Sequence, residues 1–203
     1  MAVSATKVIL RQGKTALFVC DVQSKFEKII SEFDKMIVNS SKLVNGLKLL
    51  DTPILVTEQN PKALGNTVPQ LDLSGAKGPF SKTQFSMYTE EVSKELSTLC
   101  AGGPPDSILL IGIECHICVE QTALDLIANG FQVHTVADCC SSRTQEDRLL
   151  ALERMKQFGC HITTSENVLF KLLGNANHPK FKDISRLVRT PSVYTGLVPL
   201  AKI

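Results

Sequence analysis

The chain reads as an α/β protein of three layers, αβα, on a doubly wound, mainly parallel sheet of six strands. Three observations predict this. Apolar runs and amphipathic segments alternate along the chain. The runs are near-continuous, as in strands covered on both faces. The 203 residues contain no composition break and fit one domain with a substantial core. That domain is expected to span 1–203, with 1–13 as lead-in and 189–203 as a C-terminal tail.

Ala16–Cys20 is an apolar run ending at Asp21, and Pro53–Val56 is another, followed by the polar Thr57-Glu58-Gln59-Asn60-Pro61. Both predict buried strands. Between them Met36, Ser40, Leu43, Val44, Leu47 and Leu50 recur at three- and four-residue spacing and form one helical stripe. Residues 62–82 gather Gly65, Pro69, Gly75, Gly78 and Pro79, which predicts a long loop of the kind that builds sites or interfaces. A helix over Thr89–Leu99 leads to a strand at Ile108–Ile113. A helix through Leu126, stopped by Gly130, then precedes a strand at Gln132–Ala137 that ends at Asp138. Gln145–Phe158 reads as a helix with Gly159 as its stop. Ile162 lies in a last strand, Ser165 is a candidate N-cap, and Pro179 starts a helix over Lys180–Val188.

Parallel strands joined by right-handed crossovers in the order 3-2-1-4-5-6 place the first and fourth strands side by side, and ligands bind beyond their carboxyl ends. Asp21 ends the first strand and Cys118 follows the fourth, so both fall at that switch point. The stretch Ile108 to Cys118 reads as a strand, a tight turn and a helix whose first turn holds Cys118. Free N–H groups and the positive end of the helix dipole bias a thiol there toward thiolate. Taken singly, a buried cysteine is usually structural, a lysine is usually solvated, and a strand-end aspartate is often a cap. Joint placement at the switch point is what selects them.

Lys plus Arg number 22 against 20 Asp plus Glu, with no basic run and few aromatics, so the expected partner is a small molecule and not nucleic acid. Seven cysteines, an odd number spread through apolar strands and helix starts, point to free thiols in a reducing compartment. No signal peptide or long apolar span is seen, so no membrane is expected and the cytoplasm is the expected location. Weak alternatives are a short mitochondrial presequence in Met1–Lys14 and a peroxisomal tripeptide in Ala201-Lys202-Ile203, which ends in Ile instead of Leu.

Three separated motifs carry a resemblance: Leu17-Phe18-Val19-Cys20-Asp21-Val22-Gln23; Ser81-Lys82-Thr83 with Phe85-Ser86; and Gly112 through Cys118-Val119 with Thr122. In order, they resemble the isochorismatase-like cysteine hydrolase superfamily, with its Rossmann-like fold. Thr57 to Pro61, Phe85-Ser86-Met87 and Asp138 to Arg143 bring the chain closest to the eukaryotic isochorismatase domain-containing proteins. The resemblance implies an Asp–Lys–Cys triad filled by Asp21, Lys82 and Cys118. The thiolate attacks an amide-like carbonyl to give a thioester, and water activated by the aspartate then hydrolyses it. The resemblance also implies a non-proline cis peptide at Ile113-Glu114 and an oxyanion hole from the N–H groups of Glu114 and Cys118. Gln23, Phe26, Gln59, Phe85 and Cys115 are the candidate pocket residues, and dimers or larger assemblies are expected.

The chain departs from the family pattern in three ways. Cys115 often is Thr in the family, and here it creates Cys115-x-x-Cys118. That pair invites two other readings: a redox dithiol, or half of a zinc site with His116, Cys139, Cys140 or His161. The Asp-x-His element of metal-dependent nicotinamidases is replaced by Thr57-Glu58-Gln59-Asn60, so neither metal nor other cofactor is expected. True isochorismatases cleave a vinyl ether without a cysteine nucleophile, so the family name does not give the substrate. The expected function is hydrolysis of a small amide or related C–N compound, and the competing class is a catalytically weak interaction protein that keeps the fold. In the tail, Pro191, Val193, Tyr194, Leu197, Val198, Pro199 and Leu200 must cover either their own domain or a neighbour. The resemblance favours the neighbour and a homo-oligomer.

Overall fold

The computed structural model describes residues 9–197. The elements follow one another as β1 (Thr15–Cys20), α1 (Phe33–Leu49), β2 (Ile54–Gln59), α2 (Pro61–Leu64), β3 (Lys77–Lys82), α3 (Glu90–Leu96), β4 (Ser107–Gly112), α4 (Glu120–Ala128), β5 (Gln132–Cys140), α5 (Gln145–Gln157), β6 (His161–Thr163), α6 (Ser165–Leu173) and α7 (Phe181–Leu187). The sheet order is β3-β2-β1-β4-β5-β6. Every pairing is parallel, so the sheet is wholly and not mainly parallel.

Side-chain alternation along the buried strands divides the interior in two. Leu17, Val19, Leu109 and Ile111 face α1, α6 and α7. Phe18, Cys20, Ile108 and Leu110 face α3, α4 and α5, where Val92, Ala123, Leu126 and Met155 meet them. Burying each large apolar side chain contributes about 1.5–3 kcal/mol. Both strand faces are therefore apolar, which is why these strands read as unbroken runs.

Residues 62–82 are not the uninterrupted loop their Gly and Pro content predicts. Their last six residues form β3, which pairs only with β2. An edge strand lacks a second partner and tolerates Pro79, which follows a cis Gly78–Pro79 bond. Lys77 to Pro79 are exposed, so no apolar run marks the strand in the sequence. Boundaries shift elsewhere. β5 continues through Cys140. Ser165 is the first residue of α6 and not its cap; the Asp138 carboxylate accepts its N–H at 2.8 Å and its hydroxyl at 2.6 Å. Helix α7 starts at Phe181, two residues beyond Pro179.

The described part of the tail covers its own domain, against the expectation that it reaches a neighbour. Asn39 pairs with the Val193 backbone, donating to its carbonyl at 2.9 Å and accepting its N–H at 2.8 Å. Lys42 donates to the Thr190 carbonyl at 2.7 Å. Arg148 donates to the Thr195 carbonyl at 2.6 Å and its hydroxyl at 2.9 Å. All three side chains are buried, and a buried polar group without a partner is costly, so the tail supplies partners that they need, Arg148 Nε alone of that guanidinium being left without one. Val198, Pro199, Leu200, Ala201-Lys202-Ile203 and most of Met1–Lys14 lie outside the described residues. Among the described residues no helix is long and apolar enough to cross a membrane.

Candidate active site

Three parallel strands deliver the predicted residues from their carboxyl ends. Asp21 immediately follows β1 with φ of +52°, in the left-handed region that a non-glycine residue enters at a cost. Lys82 is the last residue of β3. Gly112 ends β4, pairing with Cys20 on one side and Cys140 on the other. Its φ is +130°, and a β-carbon there would run into the Cys20 carbonyl, so only glycine lets the turn after β4 lie this close to β1.

The Lys82 ammonium meets the Asp21 carboxylate at 2.6 Å, with both side chains 1% exposed. Ions so buried persist when their remaining hydrogen-bonding capacity is used. Lys82 also donates to Gln59 Oε1 at 2.8 Å and to the carbonyls of Phe85 at 2.8 Å and Gln84 at 3.2 Å. The other Asp21 oxygen accepts the Thr57 hydroxyl at 2.8 Å, and the Cys20 thiol lies 3.6 Å from the oxygen that Lys82 holds. The lysine is thus a fixed cation whose donors are spent within the protein, and the carboxylate is clamped from two strands.

After β4 comes the Ile113–Glu114 bond, which is cis, as the resemblance implies. Cys118 then lies within a π-helical turn, Cys115–Val119, that precedes α4, and not within the first turn of α4 itself. Such turns are frequent at functional sites. The N–H of Cys115 donates to the Ser141 carbonyl at 2.8 Å, and those of Ile117 and Val119 donate to the Glu114 carbonyl at 3.0 and 3.2 Å. The Glu114 side chain is gripped by Arg143, at 2.8 and 3.2 Å from guanidinium nitrogens and 3.1 Å from the backbone N–H. Burial pushes the Glu114 carboxyl up, but the Arg143 hydrogen bonds and charge outweigh it and hold the group below its ordinary range. Thr122 donates to the Cys118 carbonyl at 2.6 Å and accepts the Met87 N–H at 2.8 Å, tying the turn to the segment after Lys82.

The seven cysteines are free and buried, yet not equally. Cys118 retains 7% exposure, whereas Cys20, Cys115, Cys139 and Cys140 retain none. Burial first, then the Cys118 thiol and the Asp21 charge, push the Cys20 thiol well above its ordinary range, while Lys82 opposes them. Burial first, then the Cys115 thiol, push the Cys140 thiol up as well. His116 meets Ser142 at 3.0 Å, and no group of three or more His, Cys, Asp or Glu gathers as a metal site among the described residues.

The pocket candidates divide. Gln59 holds Lys82, and Phe85, half exposed, stands beside the site with its carbonyl on Lys82. Gln23 is a correction: its buried amide is consumed by the backbone of Gln59 and Gly65 at 2.6 to 3.0 Å, so it braces loops and faces no pocket. Phe26, partly buried, packs against the core beside α1, and Cys115 is sealed at 0% exposure, so Cys115 lines no opening. A cavity of about 480 Å³ abuts Lys82, bounded by Asn60, Lys62, Thr83, Gln84 and Glu90. Another, about 530 Å³, lies between α6 and the tail and contains none of the predicted site residues.

Sequence reasoning gave no role to Thr57, Thr122, Arg143 or Cys20. Thr57, Thr122 and Arg143 lie in or beside the motifs, which was a signal, but their partners are 29 to 36 residues away in sequence or join separate strands. Cys20 looked like one more apolar residue of a strand.

The isochorismatase domain model matches residues 15–167. Isochorismatase domain-containing protein 2 of Xenopus laevis is 46% identical over 193 residues, 94% of this chain and 91% of that protein. A structure called MAR1 ribonuclease from Caenorhabditis elegans superposes with a TM-score of 0.87 at 41% identity, covering 96% of this chain and 100% of that one. The YcaC product of Escherichia coli, described as an octameric hydrolase of unknown specificity, shares the fold alone, with a TM-score of 0.81 at 22% identity and 89% coverage of each chain. The chain belongs to the isochorismatase family.

Proposed function

We propose that the chain is a cysteine hydrolase of a small amide or related C–N compound, with Cys118 as nucleophile and Asp21 and Lys82 as its partners. The observation that carries this reading is the buried Lys82–Asp21 ion pair, 2.6 Å long, at the same carboxyl end of the sheet as the turn after β4, whose more exposed thiol is Cys118. The proton of Cys118 passes to Asp21 and the sulfur attacks the carbonyl carbon. The oxyanion forms against the N–H groups of Glu114 and Cys118, as the family resemblance implies; those of Cys115, Ile117 and Val119 are hydrogen-bonded elsewhere. Collapse breaks the C–N bond, and the amine leaves with the proton. Water then loses a proton to Asp21 as its oxygen attacks the thioester, and the acid departs from a restored thiol. Lys82 holds the Asp21 carboxyl group in place throughout.

The test is a panel of small amides and carbamoyl compounds, with mass-spectrometric trapping of an acyl adduct. The expected adduct is on Cys118 and is absent in Cys118→Ala; turnover that survives this substitution overturns the reading. The name of the nematode relative supplies a second reading, RNA cleavage. Near-balanced charge speaks against a phosphate-binding face. An RNA oligonucleotide in the same panel decides between the two. The reading includes a cytoplasmic homo-oligomer, which light scattering on the full chain checks.

A further inference from the structure

We propose that Arg143 is a positioning residue of the turn after β4, acting on the chemistry of Cys118 through Glu114; the role given to the Glu114 N–H rests on the hydrolase reading. Glu114 is held at two points. Its carbonyl accepts the N–H groups of Ile117 at 3.0 Å and Val119 at 3.2 Å, the two residues that flank Cys118. Its carboxylate, 5% exposed, accepts three hydrogen bonds from Arg143: Nη2 at 2.8 Å on one oxygen, Nε at 3.2 Å and the backbone N–H at 3.1 Å on the other. Glu114 thus joins the segment after β5 to the main chain that carries Cys118.

The contact is built for orientation more than for attraction. The Arg143 side chain is 57% exposed, and ion pairs open to water contribute little by charge alone. The buried Glu114 carboxylate, by contrast, needs its lone pairs met, and among the described residues all three of its hydrogen bonds come from Arg143. Nε and Nη2 on separate oxygens form a planar fork that fixes the carboxylate in one orientation. The same segment braces the turn on either side of that fork. The Cys115 N–H donates to the Ser141 carbonyl at 2.8 Å, and the Ser141 N–H donates to the Gly112 carbonyl at 3.3 Å. Those bonds hold Gly112 and Cys115 and leave the Glu114 side chain to Arg143. A shift of about 1 Å in a group that meets the transition state can cost about 10²-fold in rate. Releasing Glu114 should therefore impair attack on a carbonyl, which develops an oxyanion, while leaving the Cys118 thiol able to react where no oxyanion forms.

The experiment compares two reagents on Cys118 of the full chain, with peptide mapping to place each adduct. With p-nitrophenyl acetate the sulfur attacks the ester carbonyl as its proton passes to Asp21. The oxyanion collapses, the C–O bond breaks, and p-nitrophenolate leaves. With iodoacetamide the sulfur displaces iodide from a methylene carbon, and no oxyanion forms. In Arg143→Ala, acylation is expected to slow by about 10-fold or more, part of what deleting an oxyanion donor costs, with alkylation near that of the unaltered chain. Arg143→Lys keeps the charge but not the fork, and should recover acylation only in part. Because Arg143→Ala strands a buried carboxylate, the double variant Glu114→Ala/Arg143→Ala removes both partners. It should be acylated no more slowly than Arg143→Ala, as a residue acting only through Glu114 requires. Acylation unchanged in Arg143→Ala, acylation and alkylation falling together in the double variant, or a double variant acylated more slowly than Arg143→Ala overturns the inference and leaves the hydrolase reading standing. An unaltered chain that is alkylated but never acylated at Cys118 sinks the hydrolase reading and this inference with it.

Discussion

The turn after β4 holds two cysteines, Cys115 and Cys118, and lies between β1, which ends at Cys20, and β5, which ends at Cys140. Gly112 stands between, paired with both. The halves differ in what surrounds them. On the β1 side lies an ion pair with a carboxylate able to accept protons, and Cys118 keeps some exposure to solvent. On the β5 side lies Arg148, fully buried, whose bonds go to the carbonyls of Ala137 and Thr195 and to a hydroxyl. Those acceptors hold the tail and offer no base. Two cysteines three residues apart in one turn therefore differ in chemistry because their strands bring different groups, not because of anything intrinsic to the turn.

The sharpest way to break the comparison is to remove each thiol. Cys118→Ala is expected to lower turnover by at least about 10³-fold while the melting temperature holds, as for other nucleophile deletions; Cys140→Ala, on the sealed side, should retain turnover. Kinetics with thermal melting on both variants checks this, and equal losses would erase the distinction. Lys82→Ala leaves Asp21 buried and unpaired, so it should cost about 3–5 kcal/mol of stability as well as activity. Denaturant midpoints measure it, and a loss below about 1 kcal/mol, the range of exposed pairs, would mean that the ion pair is not buried as described.

Gly112→Ala strikes both halves at once, since a β-carbon would meet the β1 backbone at a φ of +130°. It should cost at least about 1–3 kcal/mol and reduce iodoacetamide labelling at Cys118. Acid sensitivity has a separate source that must be kept apart from either thiol. Burial first, then the charges of His161 and Lys171, hold the folded His134 near a pKa of about 3, against an ordinary 6.5. Between those values the unfolded chain binds a proton that the folded chain does not, so stability falls as pH drops below 6.5, by up to about 1.4 kcal/mol per unit. Urea midpoints at descending pH should show this slope, and His134→Leu should flatten it. Smallest of all, Cys140→Ala should cost about 1 kcal/mol, the ordinary cost of a buried point change.

The tail shows how one sequence signal can admit two structures. Its apolar residues announce that something must cover them, but Asn39, Lys42 and Arg148, which receive Thr190 to Thr195, read as unremarkable helix polar residues. Truncation at Val188 would strand those three side chains, so a change in assembly after truncation would mix lost stability with lost contact.

By itself the sequence determined the alternating elements, the strand order, and the convergence of Asp21 and Cys118. Each follows from local periodicity and from chain-handedness rules that operate on any α/β sequence. Strand β3 escaped it because an edge strand with one exposed face needs no apolar run. The tertiary structure alone decided that Thr57 grips Asp21, that Gln23 is a brace, and that Glu114 is held by Arg143. These are pairings across separate strands, set by side-chain directions at a sheet end, and no spacing within one segment encodes them.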